Sequence, residues 1–189
     1  PVTATAPSAS PIVAAVSATR AFTEADLNAG PQLIDLDGTA AVSDADSPDF
    51  DGGRLQVTLI ARTDEETGFP EQDGTGQFSF GLSNAGPVSV VAGDVIVSGT
   101  TVGTIETNGA GGAPLGIRLN SDATPALVEI LVENLTIENA SDDPAAGGTL
   151  SILLEDGDGS ASDPVLVTFT IAPEQDGGGL VGAERQVNT

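Results

Sequence analysis

The chain has no cysteine, histidine, methionine, tryptophan, tyrosine or lysine. Each gap removes a class of chemistry. Without cysteine there is no disulfide framework, no thiolate metal site and no cysteine nucleophile. Without histidine the commonest general base and transition-metal ligand are gone. Positive charge comes from five arginines alone, against 28 acidic residues, for a formal net charge of −23. Nothing here could neutralise a run of phosphates, which excludes nucleic acid as an electrostatic partner. An anionic membrane surface would repel the chain as well. No run approaches the roughly 18 apolar residues of a membrane span. No basic segment precedes an apolar one near the start, so no signal peptide is visible. A chain beginning at Pro1 reads as a processed product or an excerpt of something longer.

What remains is a chain of 189 residues whose apolar content is Val, Ile, Leu and Ala with six Phe. That length suits one domain with tails. β-Branched side chains fit pleated strands better than helices. The 24 Gly and 12 Pro, spread between short apolar runs, are the turns of an all-β domain. High negative charge with few aromatics is also a signature of disorder. Clean alternation sets residues 20–172 apart from that, and leaves 1–19 and 173–189 as tails. The first tail has the Ala/Ser/Thr/Pro composition of a linker. Within it Ile12-Val-Ala-Ala-Val16 is either mobile or an edge strand, added to its own sheet or to that of a neighbouring copy.

Candidate strands follow at 32–36, 39–43, 54–60, 77–81, 88–91, 94–98, 101–106, 115–119, 135–138, 150–154 and 165–171, with Gly93 and Gly99 at turns. In the last of them Val165, Val167, Phe169 and Ile171 face one way, and Leu166, Thr168 and Thr170 the other. One segment breaks the rhythm. Thr124-Pro-Ala-Leu-Val-Glu-Ile-Leu-Val-Glu133 has an N-cap Thr, Pro at the first helical position and apolar residues at 127, 128, 130 and 131, which predicts one short helix.

Acidic residues are concentrated in two knots. Asp35, Asp37, Asp44, Asp46, Asp49 and Asp51 fall within Asp35–Gly53, and Glu155-Asp-Gly-Asp-Gly159 lies about a hundred residues on. Two carboxylates about 4 Å apart repel by roughly 1 kcal/mol in water, and by about 4 kcal/mol near a protein surface. Folding must therefore keep such loops apart or supply a cation. Asp, Glu and loop carbonyls are the hard oxygen ligands that Ca²⁺ prefers. Alternation along an extended chain sets Asp44 with Asp46, and Asp49 with Asp51, on common sides. Asp-Gly and Ser-Pro also favour bare solvated turns by themselves, and Asp156-Gly-Asp158-Gly could be a simple hairpin turn. An EF-hand is excluded, because Val167 stands twelfth from Asp156 where a bidentate Glu is required. The glycine-rich nonapeptide of a calcium β-helix is missing too. Any site is thus loop-borne, with ligands from different turns.

Other motifs carry less. Gly109-Ala-Gly-Gly-Ala-Pro114 lacks the third glycine and the strand-to-helix turn of a phosphate loop. Asn134-Leu-Thr136 and Asn139-Ala-Ser141 match the glycosylation acceptor pattern, which arises often by chance in a Ser/Thr-rich chain. Paired-carboxylate catalysis, as in glycoside cleavage, needs a raised pKa in an apolar pocket. These acids sit in polar turns, and no Trp or Tyr offers a sugar platform, so the chain does not read as an enzyme.

The run Leu36-Asp-Gly-Thr-Ala-Ala-Val-Ser-Asp-Ala-Asp-Ser-Pro-Asp-Phe-Asp-Gly-Gly-Arg-Leu-Gln-Val57 resembles the opening of the cadherin-like, Ig-like repeats of giant bacterial adhesins and haemolysin-type calcium-binding surface proteins. Ala123-Thr-Pro-Ala-Leu-Val-Glu-Ile-Leu131, Leu135-Thr-Ile-Glu-Asn-Ala-Ser-Asp-Asp-Pro144 and Leu153-Leu-Glu-Asp-Gly-Asp-Gly159 are similar to that repeat's helix and closing strands, in the same order. The resemblance spans residues 20–172. It implies a Greek-key β-sandwich with one short helix and extended tails, secreted to the cell surface and strung in tandem, with Ca²⁺ near its ends. It matches Glu24 to the acidic residue near the first strand, Asp44 and Asp46 to an Asp-x-Asp pair, and Asp156 and Asp158 to the late Asp-Gly-Asp-Gly. Relatives leave the last strand through Val-Asn-Asp-x-Pro, whereas this chain has Ile171-Ala-Pro-Glu-Gln-Asp-Gly-Gly178. A calcium site shared with a following copy is not expected from that ending.

The expectation is a calcium-stiffened structural domain of an adhesin, surface layer or filament, with Glu24, Asp35, Asp37, Asp44, Asp46, Asp49, Asp51, Asp156 and Asp158 as candidate ligands. Its expected partners are neighbouring copies through the tails, and other surface proteins. The alternatives are a carbohydrate- or ligand-binding module and an accessory protein decorating a larger surface complex.

Overall fold

A computed structural model describes residues 9–63, 78–141 and 144–174. The remainder of the expected tails, Gln77 of the fourth strand and Asp142-Asp143 of the similar blocks lie outside the described residues. The chain is mostly β-sheet. In order, the elements are β1 (Ile12–Ala14), β2 (Thr19–Thr23), α1 (Glu24–Ala29), β3 (Gln32–Leu33), β4 (Ala41–Ser43), β5 (Arg54–Thr63), β6 (Phe78–Leu82) and β7 (Val88–Val91). There follow β8 (Asp94–Val97), β9 (Thr100–Asn108), β10 (Leu115–Leu119), α2 (Pro125–Glu133), β11 (Leu135–Asn139), β12 (Gly147–Glu155) and β13 (Val165–Ala172).

Eight strands form one sheet in the order β2-β13-β12-β5-β10-β9-β8-β7, and three form a second, β3-β11-β6. The pairing is antiparallel except at β2, which lies parallel to β13 with Thr19 beside Thr168. The small sheet turns its apolar side to the large one. Phe78 on β6 meets Phe169 on β13 edge to face, with centroids 5.4 Å apart, and Phe22 on β2 meets the same ring at 6.3 Å. Such contacts add about 0.5–1.5 kcal/mol each beyond burial. The alternation expected in β13 is present: Val167, Phe169 and Ile171 are buried while Leu166, Thr168 and Thr170 are exposed.

Two hairpins turn on Ala92-Gly93 and Ser98-Gly99, with all four residues at positive φ. That pair of left-handed residues matches the twist of the flanking strands. Glycine has a different use at Gly147 and Gly148. A Cβ on either would run into the backbone of β13 or β5, so only glycine lets β12 extend that far. This is why the strand starts three residues earlier than its apolar pattern predicts.

The structure corrects the helix expectation in two ways. First, Glu24–Ala29 forms a second, six-residue helix closed by a capping box. Thr23 Oγ1 accepts from Asp26 N and Asp26 Oδ2 accepts from Thr23 N, both at 3.1 Å. Six residues carry too little periodicity to predict, and the box uses Asp where Glu or Gln is the usual signal. Second, α2 forms where expected, but the Thr124 side chain makes no capping bond. Its backbone carbonyl accepts from Leu127 N and Val128 N instead. The α2 helix buries Val128, Leu131 and Val132 and packs against β4. Among the described residues no helix is long and apolar enough to cross a membrane.

The run Ile12–Val16 is held within its own chain. The strand β1 pairs with β4, Val13 with Val42, and both Val13 and Val16 are buried.

Candidate functional site

The two acidic knots meet at one end of the large sheet. Strands β5 and β12 are neighbours, with Arg54 opposite Glu155, so the loop entering β5 and the loop leaving β12 start side by side. Two glycines let them touch. A Cβ on Gly53 would overlap the Glu155 carbonyl, and a Cβ on Gly157, at φ +83, would overlap the Asp51 carbonyl. Across the seam, the buried Ser47 Oγ donates to Asp158 Oδ2 at 3.0 Å.

Within the first loop, Asp44 Oδ1 accepts from Asp46 N at 3.1 Å and from Ser47 N at 3.3 Å. Its second oxygen, Oδ2, is buried and has no hydrogen-bond partner among the described residues. Asp46 Oδ2 accepts from Ala9 N at 2.9 Å. That bond, and after it the side-chain contact with Asp44, holds Asp46 below the usual carboxylate range. Asp49 Oδ1 folds back onto Asp51 N at 3.1 Å, and Asp51 is exposed. Arg118 reaches the far end of this loop beside Gly52.

In the second loop Asp156 is buried, and its Oδ1 accepts from the amides of Asp158, Gly159 and Ser160 at 2.8, 3.0 and 2.9 Å. Three amides on one oxygen make Asp156 the organiser of its turn and leave Asp158 exposed above it. An open pocket of about 340 Å³, lined by Gly52, Glu155, Gly157, Gly159, Ser160 and Ala161, lies along the seam.

The other predicted ligands lie elsewhere. Asp35 is buried in the turn before β4 and saturated. Oδ1 accepts from Ser17 N and Oγ at 3.2 and 2.9 Å, and Oδ2 from Thr39 N and Ala40 N at 3.3 and 3.2 Å. Asp37 is exposed in the same turn. Glu24 is buried at the start of α1, where Oε2 accepts from Glu174 N at 2.9 Å, beyond the last residue of β13. The second acidic loop precedes the first residue of β13, so the two lie about 26 Å apart along an eight-residue strand.

A second acidic neighbourhood was not foreseen. Glu129 Oε2 accepts from Val42 N at 3.3 Å, and Glu133 faces the Asp35 turn. Burial, then Glu129 and Asp35, raise the Glu133 carboxyl above its ordinary range. The i, i+4 spacing of the two glutamates on α2 was the available signal.

As for the glycosylation matches, Asn139 is buried, with Oδ1 accepting from Ser141 N, and Asn134 Nδ2 donates to Ile130 O. Both side chains serve the fold.

Among the described residues no three acids converge closely enough to hold a metal through side chains alone. An ion in the seam would need hydroxyls, loop carbonyls or water to complete its shell. No family model, curated protein or solved structure matches the chain.

Proposed function

We propose that the chain is a non-catalytic structural domain of an extracellular surface assembly, a cadherin-like Greek-key sandwich whose paired acidic loops are bridged by Ca²⁺. The observation that carries this is Asp44 Oδ2, a buried carboxylate oxygen with no donor. The other oxygen of the same carboxylate accepts from the amides of Asp46 and Ser47, and Ser47 bonds Asp158 across the seam. A buried carboxylate oxygen without a donor is costly unless a cation meets it. Asp44 and Asp46 would meet the ion, with loop carbonyls and water completing the shell, and Ca²⁺, which accepts six to eight oxygens in loose geometry, tolerates so small a set of carboxylates. The stacking of the small sheet on the large through Phe78 and Phe169 supports the sandwich.

The function of such an ion is stiffness. It neutralises the repulsion between the loops and adds RT ln(1 + [L]/Kd) to stability, about 2.7 kcal/mol at a hundredfold excess over Kd. Thermal melts in chelator and in excess CaCl₂ test this directly. A clear upward shift with calcium is expected, and superimposable curves would sink the proposal.

A second reading has its own observation. A pocket of about 320 Å³ opens between the sheets, with Phe80, Leu82, Ile105 and Leu115 on its apolar side and Asn108 and Glu138 at its rim. That volume and lining suit a small ligand. A small-molecule and glycan binding screen separates the two readings, since only this one requires a ligand other than an ion.

A further inference from the structure

The large sheet is unevenly charged. On its outer face the register of β2, β13, β12 and β5 sets Thr19 beside Thr168 and Thr168 beside Thr149, and in the next row Leu166 beside Ser151 and Ser151 beside Thr58. From Thr19–Thr23 through Leu166–Ala172 and Thr149–Leu153 to Gln56–Ile60 no outward position carries a charge, and the first charges on this face are Glu155 and Arg54, opposite each other at the end of β12 and β5. Leu166 and Ile60 stand out of this surface at 51% and 54% exposure. The other half of the same face, over β10, β9 and β8, is ordinary, with Asp94 and Arg118 exposed and Glu106 3.4 Å from Arg54 at the border. In a chain with 28 acids, a four-strand surface whose one outward acid, Glu155, stands at its end beside Arg54 is a segregation that solubility does not require.

We propose that this face packs on the same face of a second copy of the chain, sheet on sheet about a two-fold axis. The choice of occupant follows from charge. Each molecule carries −23, so a second copy can reach van der Waals contact only where neither partner brings carboxylates. A two-fold contact uses one patch twice and satisfies that condition on both sides at once. A basic partner would instead choose the acidic loops, and a sugar would need an aromatic platform that the face lacks. The Thr and Ser side chains are short and give the flat relief on which sheets stack about 10 Å apart. Leu166 and Ile60 are the two large apolar groups that the contact removes from water. Calcium plays no part in this contact, so its fate is independent of the loop proposal.

Sedimentation equilibrium of the full chain over a range of concentrations, at low and high salt and with or without chelator, tests it. A reversible monomer–dimer equilibrium is expected in either metal condition, tightening as salt screens the remaining repulsion. Thr168→Asp places like charges in the contact and weakens the dimer by at least about tenfold, the effect of a single carboxylate pair near a protein surface. Thr104→Asp, on the charged half of the same face, leaves it unchanged. Leu166→Ser is a second variant that adds no charge and also weakens the dimer, while melting curves confirm that each variant is folded. Monomer at every concentration and salt, or a dimer indifferent to both Thr168→Asp and Leu166→Ser, overturns the proposal.

Discussion

Asp35 and Asp44 lie nine positions apart in one acidic run, and the fold treats them in opposite ways. Asp35 is buried with four donors, two on each oxygen, from Ser17, Thr39 and Ala40. That fills the lone-pair sites of a carboxylate, so burial is compensated and no lone pair is left for an ion. Asp44 receives two donors on one oxygen and buries the other without any. The first aspartate is a complete structural element, whereas the second is one partner short. Identical residue types in one acidic stretch therefore divide into a turn that closes on itself and a loop that needs something from outside.

The largest effect should come from breaking the closed turn. Asp35→Ala strands the buried Ala40 amide and the half-buried Ser17 donors, frees the Thr39 amide and empties a buried site, and should cost about 3–4 kcal/mol. Because the turn needs no ion, the loss should be equal in chelator and in calcium. A chemical denaturation series in both buffers checks this, and an Asp35→Ala penalty that depends on calcium would erase the distinction between the two sites.

Asp44→Asn should behave in the opposite manner. In excess calcium it should lose about 2–3 kcal/mol, the linkage term of a well-occupied ion. In chelator it should be neutral or slightly stabilising, because the buried Oδ2 it replaces has no donor to lose. If the two buffers give the same change, Asp44 is only a turn residue.

A smaller contrast lies in the glycines. Gly38 in the Asp35 turn and Gly157 in the second acidic loop both have positive φ, at +57 and +83. A Cβ on Gly38 meets only Glu133 Oε1 at 4.0 Å, whereas one on Gly157 overlaps the Asp51 carbonyl. Gly38→Ala should therefore cost only left-handed strain, about 1–2 kcal/mol. Gly157→Ala should add to that strain the separation of the two loops, and should lower any calcium affinity as well. Melting and calcium titration of the pair measure both parts.

Much of this arrangement was legible beforehand. Alternation located nearly every strand, since a side chain's face is fixed by a period of two. The Pro125 and apolar pattern located α2. Less legible was whatever depends on partners distant in sequence. The parallel seat of β2 beside β13 joins residues 19–23 to 168–172, and Thr-Arg-Ala-Phe-Thr has no pattern that announces it. The short helix α1 was hidden because its signal is a two-bond box and not a period. In the site, composition marked which stretches are acidic, but the role of each acid is set by its donors. Asp35 takes those from residues 17, 39 and 40, and Asp44 lacks them because Asp46 and Ser47 reach only one of its oxygens.

The smallest prediction uses two acids displaced in opposite directions, one in each region. Glu133 beside the Asp35 turn titrates above its ordinary range because of burial and the nearby Glu129 and Asp35, so in the window above the ordinary value the folded state binds more protons than the unfolded. Its contribution is present at low pH and is lost as pH rises through the raised value. Glu133→Gln should thus stabilise the protein at neutral pH, with the gain vanishing once the pH falls below the ordinary glutamate range. Asp46 is displaced downward, chiefly by the Ala9 amide, so the folded state binds fewer protons than the unfolded one below the ordinary aspartate value. Its contribution is present above that value and is lost as pH falls through the lowered one. Asp46→Asn should therefore cost a little at neutral pH and nothing in strong acid. Melting temperature against pH for both variants, in chelator, should give difference curves of opposite sign at neutral pH. Curves of the same sign would mean that the Ala9 bond or the Glu129–Glu133–Asp35 repulsion does not persist in solution.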